Sequence, residues 1–174
     1  MALPTDPTQL PTQAELRALL DYDPDTGVLT WRIATSPRAR AGAVAGTTQS
    51  CGYRQIGVNG RRILAHRIAW AISIGEWPAS QIDHINGIRD DNRILNLREA
   101  TPGQNNQNQR RAKSHSKSGF LGVYFRADRG QWQADIRIDG KNKYLGRFAT
   151  AELAHSAYLA AKAALHPFQT ITKD

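Results

Sequence analysis

Ile82-Asp83-His84-Ile85-Asn86-Gly87, followed by Asn92, Asn96-Leu97-Arg98 and Asn105, is the stretch on which the reading of this chain turns. The adjacent Asp83 and His84 offer a hard anionic metal ligand and a neutral base from neighbouring positions. Side-chain amides further on can orient that base and complete a metal site. Together these are the parts needed to hydrolyse a phosphodiester with one divalent ion. An Asp-His dipeptide by itself is usually a surface turn. The amides at these distances, and Asn-Leu-Arg after the loop, are what change its meaning. Asn86-Gly87 reads as a turn only. Asn92 is either a loop-capping residue or a group near the site.

Charge points the same way. The 174 residues carry 23 Lys+Arg against 15 Asp+Glu, a net charge of +8. The excess is uneven: 5 basic and 5 acidic residues over 1–60, 7 and 5 over 61–110, and 11 and 5 over 111–174. Positive charge gathered in the last third suggests a module there that binds a polyanion. One cysteine, Cys51, excludes a disulfide framework and a thiolate zinc site within the chain. It also fits a reducing compartment. The first residues lack the basic and apolar regions of a signal peptide, and no apolar run of about 18 residues exists, so no membrane partner is expected.

Outward from the central stretch, the local signals are clear. Residues 1–12, rich in Pro and Thr, read as a flexible tail. Thr12-Gln13-Ala14-Glu15 is a capping box opening a short helix to about Leu20. A turn at 23–27 and a strand at 28–32 follow. Residues 52–58 and 61–64 pair across Asn59-Gly60, a type I′ turn signal. From Ala65 the period becomes helical until Gly75. Residues 81–98 are short extended segments and loops, and Thr101-Pro102 opens another helix. Basic residues 109–117 form a linker. Beyond it come three strands, Gly122–Arg126, Trp132–Ile138 and Lys143–Phe148, and an alanine-rich helix from Ala151 to Leu165.

Residues 64–108 resemble HNH endonucleases of the phage and homing type. The residues that carry the resemblance are His66-Arg67-Ile68-Ala69-Trp70, Ile82 to Gly87, Asp91-Asn92-Arg93, Asn96-Leu97-Arg98, and Asn105 with Asn108. It covers about a quarter of the chain and implies a ribbon and helix pinched around one metal, the ββα-metal fold. Residues 12–63 look, more softly, like the N-terminal part of such phage proteins. Asp83 would ligate Mg²⁺ or Mn²⁺, and His84 would take the proton of the attacking water. Asn96 would hydrogen-bond the imidazole and fix its tautomer. Asn105, favoured over Asn106 by its spacing from Asn96, would supply the second protein ligand. Many members have histidine at this last position, whereas this chain has the harder asparagine ligand. No structural zinc is expected, so Trp70, Trp77, Ile82 and Leu97, or packing on the N-terminal hairpin, must brace the core. His66 is either a satisfied core histidine or part of the site. Arg67 would hold a phosphate or brace a loop. Arg93 and Arg98 would contact phosphate or lie on a solvated face.

Residues 118–170 resemble the Apetala-type DNA-binding domain. The resemblance rests on Ser118 to Tyr124, Trp132 to Ile136, Leu145-Gly146-Arg147-Phe148 and Ala151 to Tyr158. It implies a three-stranded sheet in the DNA major groove with the helix behind it. By alternation, the exposed face would carry Arg126, Arg129, Gln133, Asp135, Arg137, Lys143 and Arg147. Arg126, Arg137 and Arg147 suit guanine or phosphate. Lys141 and Lys143 suit phosphate. Trp132 packs either on the DNA backbone or in the core. Arg110, Arg111 and Lys113 would track DNA between the modules or form an ordinary solvated linker.

The expected chain is thus α+β: a ββα-metal nuclease domain over 13–108, the linker, then a three-stranded antiparallel sheet packed on one helix. Its expected partner is double-stranded DNA, cut with preference for a site, in the cytoplasm of a bacterial host. A DNA-binding regulator grown from a decayed nuclease is the competing class. A packaging or defence nuclease would use the same chemistry. Target sequence, preferred ion, homing against other roles, and monomer against dimer stay open. One active site cuts one strand at a time, so double-strand cleavage needs a dimer or two nicks.

Overall fold

A computed structural model describes residues 10–112 and 116–168. The chain divides into two compact units, the first ending at Glu99 and the second beginning at Ala100. Among the described residues, no helix is long and apolar enough to cross a membrane.

In the first unit, α1 (Gln13–Leu19) starts at a reciprocal cap. The Glu15 amide donates to Thr12 Oγ1 at 3.2 Å and the Thr12 amide donates to Glu15 Oε2 at 2.7 Å. Strand β1 (Leu20–Tyr22) pairs antiparallel with β2 (Leu29–Trp31) across the turn at 23–27. Strands β3 (Thr47–Thr48), β4 (Arg54–Val58) and β5 (Arg61–Leu64) form a sheet in that order. Asn59 and Gly60 both have positive φ, 50° and 76°, as a type I′ hairpin requires. Helix α2 (Ala65–Ile74) buries Ala65, Ile68, Ala69, Ala71 and Ile72, and Gly75 ends it in the left-handed region. Leu16, Leu20, Leu29, Ile56, Ile63, Ile68 and Ile72 belong to its main core.

Strand β6 (Gln81–His84) pairs with β7 (Leu97–Ala100), and a single 3₁₀ turn (Ile94–Asn96) enters β7. Ile82 and Leu97 pack with Ala69 of α2, and Tyr22 and Trp70 lie against them. Apolar packing therefore braces this ribbon. Trp77 lies instead against the main core, and its Nε1 donates to the Pro11 carbonyl at 2.8 Å.

In the second unit, α3 (Pro102–Gln107) opens with a capping box between Thr101 and Gln104 and with Pro in its first turn. Strands β8 (Val123–Arg126), β9 (Gln131–Ile138) and β10 (Lys141–Phe148) form an antiparallel sheet in the order β10-β9-β8. Helix α4 (Ala151–Leu165) packs on it. Ala151 and Ala154 of α4 join Val123 and Ala134, and Phe120, Leu145, Phe148 and Trp132 close the cluster. Trp132 thus takes the core position of its two readings. Lys162 of α4, 4% exposed, donates to the Gln109 carbonyl and ties the segment after α3 to this helix.

Sheet register corrects the expected outer face. Arg126, Gln133, Asp135, Arg137 and Arg147 do share the face away from α4. Lys143 pairs with Ile136, and Lys141 with Ile138, so both lie on the opposite face. An irregularity between Tyr144 and Gly146 shifts the alternation by one residue. Asn142 and Tyr144, partners of Arg137 and Asp135, take the outer positions instead. Arg129 is not on a strand but in the turn before β9, 3.5 Å from the Asp128 carboxylate.

Gly122 has φ +66°, and a Cβ there would fall 2.2 Å from Tyr158 Cδ2 and 2.6 Å from the Asp135 carbonyl oxygen. Gly130 has φ +63° with open space around it. Gly122→Ala should therefore destabilise the protein by roughly 3 kcal/mol, from backbone strain plus overpacking. Gly130→Ala should cost only about 1 kcal/mol, from strain alone. Urea unfolding of the two variants checks this, and equal losses would contradict the close approach of Gly122 to α4.

Candidate functional site

Strand β6 carries one apolar side chain and ends in two buried polar ones. Ile82 faces the small core, and Asp83 and His84 follow it, 5% and 4% exposed. Arg98 of β7 donates to Asp83 Oδ2 from Nε at 3.0 Å and from Nη2 at 2.9 Å. So a buried carboxylate meets a guanidinium across the ribbon, and Arg98 is not simply on a solvated face. Arg93 likewise pairs with a carboxylate, Asp91, at 2.5 Å. That contact, with the Asn86 amide at 2.6 Å, holds the Asp91 carboxyl down to about 2. Arg67 donates to the Ser80 carbonyl at 3.3 Å and so braces the loop before β6.

The partner of His84 differs from the expected one. Its Nε2 lies 3.2 Å from Asn92 Oδ1, in a buried contact. Asn96 does something else. Its Oδ1 accepts from the Asn86 amide at 2.9 Å, and its Nδ2 donates to the Asp91 carbonyl at 2.8 Å. Both ends of that amide are thus spent on the 86–91 loop, and Asn96 shapes the path of the loop instead of holding the imidazole. The reason is the 3₁₀ turn, which directs Asn96 back across its own loop.

A second imidazole stands behind the first. His66, in the first turn of α2, lies edge-on to His84, with ring centroids 5.0 Å apart and planes at 89°. Tyr53 flanks both rings at 5.3 and 5.9 Å. Arg89 caps Tyr53, 5.2 Å from its ring centroid. Sequence reading missed Tyr53, because no periodicity brings a residue just before β4 to the end of β6. Burial pushes the His84 imidazole below its ordinary value, while Asn92 and the nearby carboxylates pull it back up. Burial first, then electrostatic repulsion between His66 and its neighbours His84 and Arg67 once they carry protons, push His66 down to about 3. A neutral His84 surrounded by rings and an amide can accept a proton.

Asn105 lies on α3 in the second unit. A carboxylate such as Asp83 and an amide such as Asn105 each offer a hard oxygen, the kind of ligand that suits a small divalent cation keeping most of its shell for water and phosphate oxygens. Among the described residues, no cluster of three His, Cys, Asp or Glu could hold an ion, so amide and phosphate oxygens would have to complete such a shell. In the second unit, the outer sheet face carries Arg126, Gln133, Arg137 and Arg147 beside a network in which Gln133 Nε2 donates to the Tyr124 hydroxyl at 2.7 Å and Tyr124 donates to Asp135. Arg137 donates to the Gly140 carbonyl at 3.1 Å, and Arg126 lies 3.4 Å from Asp128. Arg110 and Arg111 follow α3, and Lys113 lies outside the described residues.

Residues 64–107 match the family model described as HNH endonuclease. The match spans α2, the β6–β7 ribbon and α3, about a quarter of the chain, and supports a nuclease acting on DNA. No curated protein and no solved structure matches the chain.

The two lowered imidazoles set a pH dependence of folding. The unfolded chain takes up these protons near the ordinary value of 6.5, whereas folded His66 does so only near 3. Stability is therefore full above about 6.5 and declines as pH falls towards 3, by roughly 1 kcal/mol per pH unit from His66. Urea unfolding at pH 7 and pH 5 should show that loss, and His66→Phe should flatten it. An unchanged slope in the variant would remove His66 from the account.

Proposed function

We propose that this protein is a metal-dependent endonuclease of double-stranded DNA, of the homing type carried by phages or mobile elements and working on DNA in a bacterial cytoplasm. The observation that carries the reading is the buried Asp83-His84 pair at the end of β6, inside the segment that matches HNH endonucleases. In this reading His84 removes a proton from a water molecule. The water oxygen bonds to phosphorus and the bond from phosphorus to the 3′ oxygen breaks, leaving 5′-phosphate and 3′-hydroxyl ends. Asp83 and Asn105 would hold Mg²⁺ or Mn²⁺, which supplies charge neutralisation at the phosphate and at the leaving oxygen. Arg98, already on the Asp83 carboxylate, holds that side chain in its rotamer and adds positive charge beside the phosphate path.

The basic second unit is the DNA-reading half, built as an Apetala-type sheet backed by α4. Support comes from the outer face itself, where Arg126, Arg137 and Arg147 stand among hydrogen-bonding side chains. Lys141 and Lys143, on the other face, reach phosphates only at the sheet margin. A regulator that binds DNA without cutting it is the competing reading. The Asp83–Arg98 ion pair favours it, since a guanidinium there partly satisfies the carboxylate.

Supercoiled plasmid incubated with Mg²⁺ separates the two. Wild type should convert it to open-circle or linear form, chelation with EDTA should stop this, and added Mg²⁺ should restore it. His84→Ala should lose roughly 100-fold or more in rate while still binding DNA. Open circles alone would mean one strand is nicked. Binding without any cutting by wild type would establish the regulator.

A further inference from the structure

Asn92, 2% exposed, is held at both ends of its amide. Its Oδ1 faces His84 Nε2 at 3.2 Å, and its Nδ2 donates to the Asp90 carbonyl at 3.3 Å. The reverse orientation would set two carbonyl oxygens against each other, so the amide oxygen must be the group facing the ring. An oxygen acceptor at that distance requires the proton on Nε2. The basic lone pair of the neutral ring then sits on Nδ1.

What keeps Asn92 there comes from far up the chain. The Tyr22 hydroxyl donates to the Asn92 carbonyl at 2.7 Å across 70 residues. The Ile94 amide donates to the Pro24 carbonyl at 3.3 Å. Gly27, with φ +74°, lets the 23–27 turn lie backbone to backbone on the loop. A Cβ there would fall 2.4 Å from the Arg93 nitrogen and 2.6 Å from the Asn92 carbonyl carbon. Asp23 rigidifies the turn by accepting from the Asp25 amide at 2.9 Å and the Thr26 hydroxyl at 2.7 Å. Residues 22–27 lie outside the matched segment 64–107.

We infer that the Tyr22–Gly27 turn is a positioning element for His84: it clamps the backbone of Asn92, and Asn92 fixes the imidazole as the Nε2–H tautomer. Asn92 is then a positioning residue, with the role expected of Asn96. Only the effect on rate rests on the nuclease reading; the tautomer does not.

The test is long-range proton–nitrogen NMR of the full chain, labelled with ¹⁵N in its histidines, at a pH where His84 is neutral. Wild type should show His84 as one Nε2–H tautomer. Asn92→Ala should bring the two ring-nitrogen shifts towards each other, as the tautomers mix, and Asn92→Asp, which restores an oxygen acceptor, should separate them again. Tyr22→Phe, a change of one hydroxyl, should give a smaller mixing. In plasmid cleavage, Asn92→Ala should lower kcat roughly 10- to 100-fold with little change in KM, and Asn92→Asp should recover part of it. An Nδ1–H tautomer in wild type, or a tautomer indifferent to Asn92, would overturn the inference even if the protein cuts DNA. The Asn92-dependent tautomer in a protein that cuts nothing would uphold the inference and remove the nuclease.

Discussion

Everything at the Asp83-His84 site depends on keeping an imidazole neutral, buried and aimed while a charged carboxylate sits next to it. Burial supplies the first condition, because desolvation disfavours the protonated ring. It also carries a cost, since a buried ring nitrogen needs a partner. Asn92 is that partner, and the turn at 23–27 keeps its backbone in place. Without the turn, the Asn92 end of the 86–93 loop would have only the loop's internal bonds among Asn86, Asp91, Arg93 and Asn96 nearby, since the outside bonds of Arg89 and Asp90 fasten its other side. The small ribbon core of Ala69, Ile82 and Leu97 is too slight to do this alone.

The site therefore reaches beyond the segment that carries its chemistry. Tyr22 serves twice: its ring packs on the ribbon core and its hydroxyl holds Asn92. Half burial accordingly pushes the Tyr22 phenol up to about 12. Asp90 fastens the other side of the loop, accepting from Arg54 Nε at 3.1 Å and from Thr48 Oγ1 at 3.1 Å. The N-terminal hairpins thus do by packing and hydrogen bonds what a structural zinc site would do with thiolates.

Wherever backbone chemistry is local, the sequence was enough to read the structure. The Thr12–Glu15 box, the helix start at Thr101-Pro102, the Asn59-Gly60 turn and the Gly75 helix end each follow from residues within four positions of one another. The Asp83-His84 pair stands out locally as two adjacent side chains, but the amides further along the chain are what give it a meaning other than a turn. What escaped depends on tertiary path. Asn92 and Asn96 are both amides near the loop, and only the course of the chain decides which one meets the ring. In β10, an irregularity near Leu145 leaves no mark on composition, yet it moves Lys143 to the other face and puts Asn142 and Tyr144 in view. Tyr53 joins the histidines through sheet packing that no spacing announces.

The most direct measurement is a crystal structure of the protein with a DNA duplex and Ca²⁺ in place of the catalytic ion. The account predicts a scissile phosphate opposite His84, a water within about 3 Å of Nδ1 in line with the 3′ oxygen, and the cation on Asp83. A duplex bound with no phosphate near His84, or with the cation away from Asp83, would contradict it.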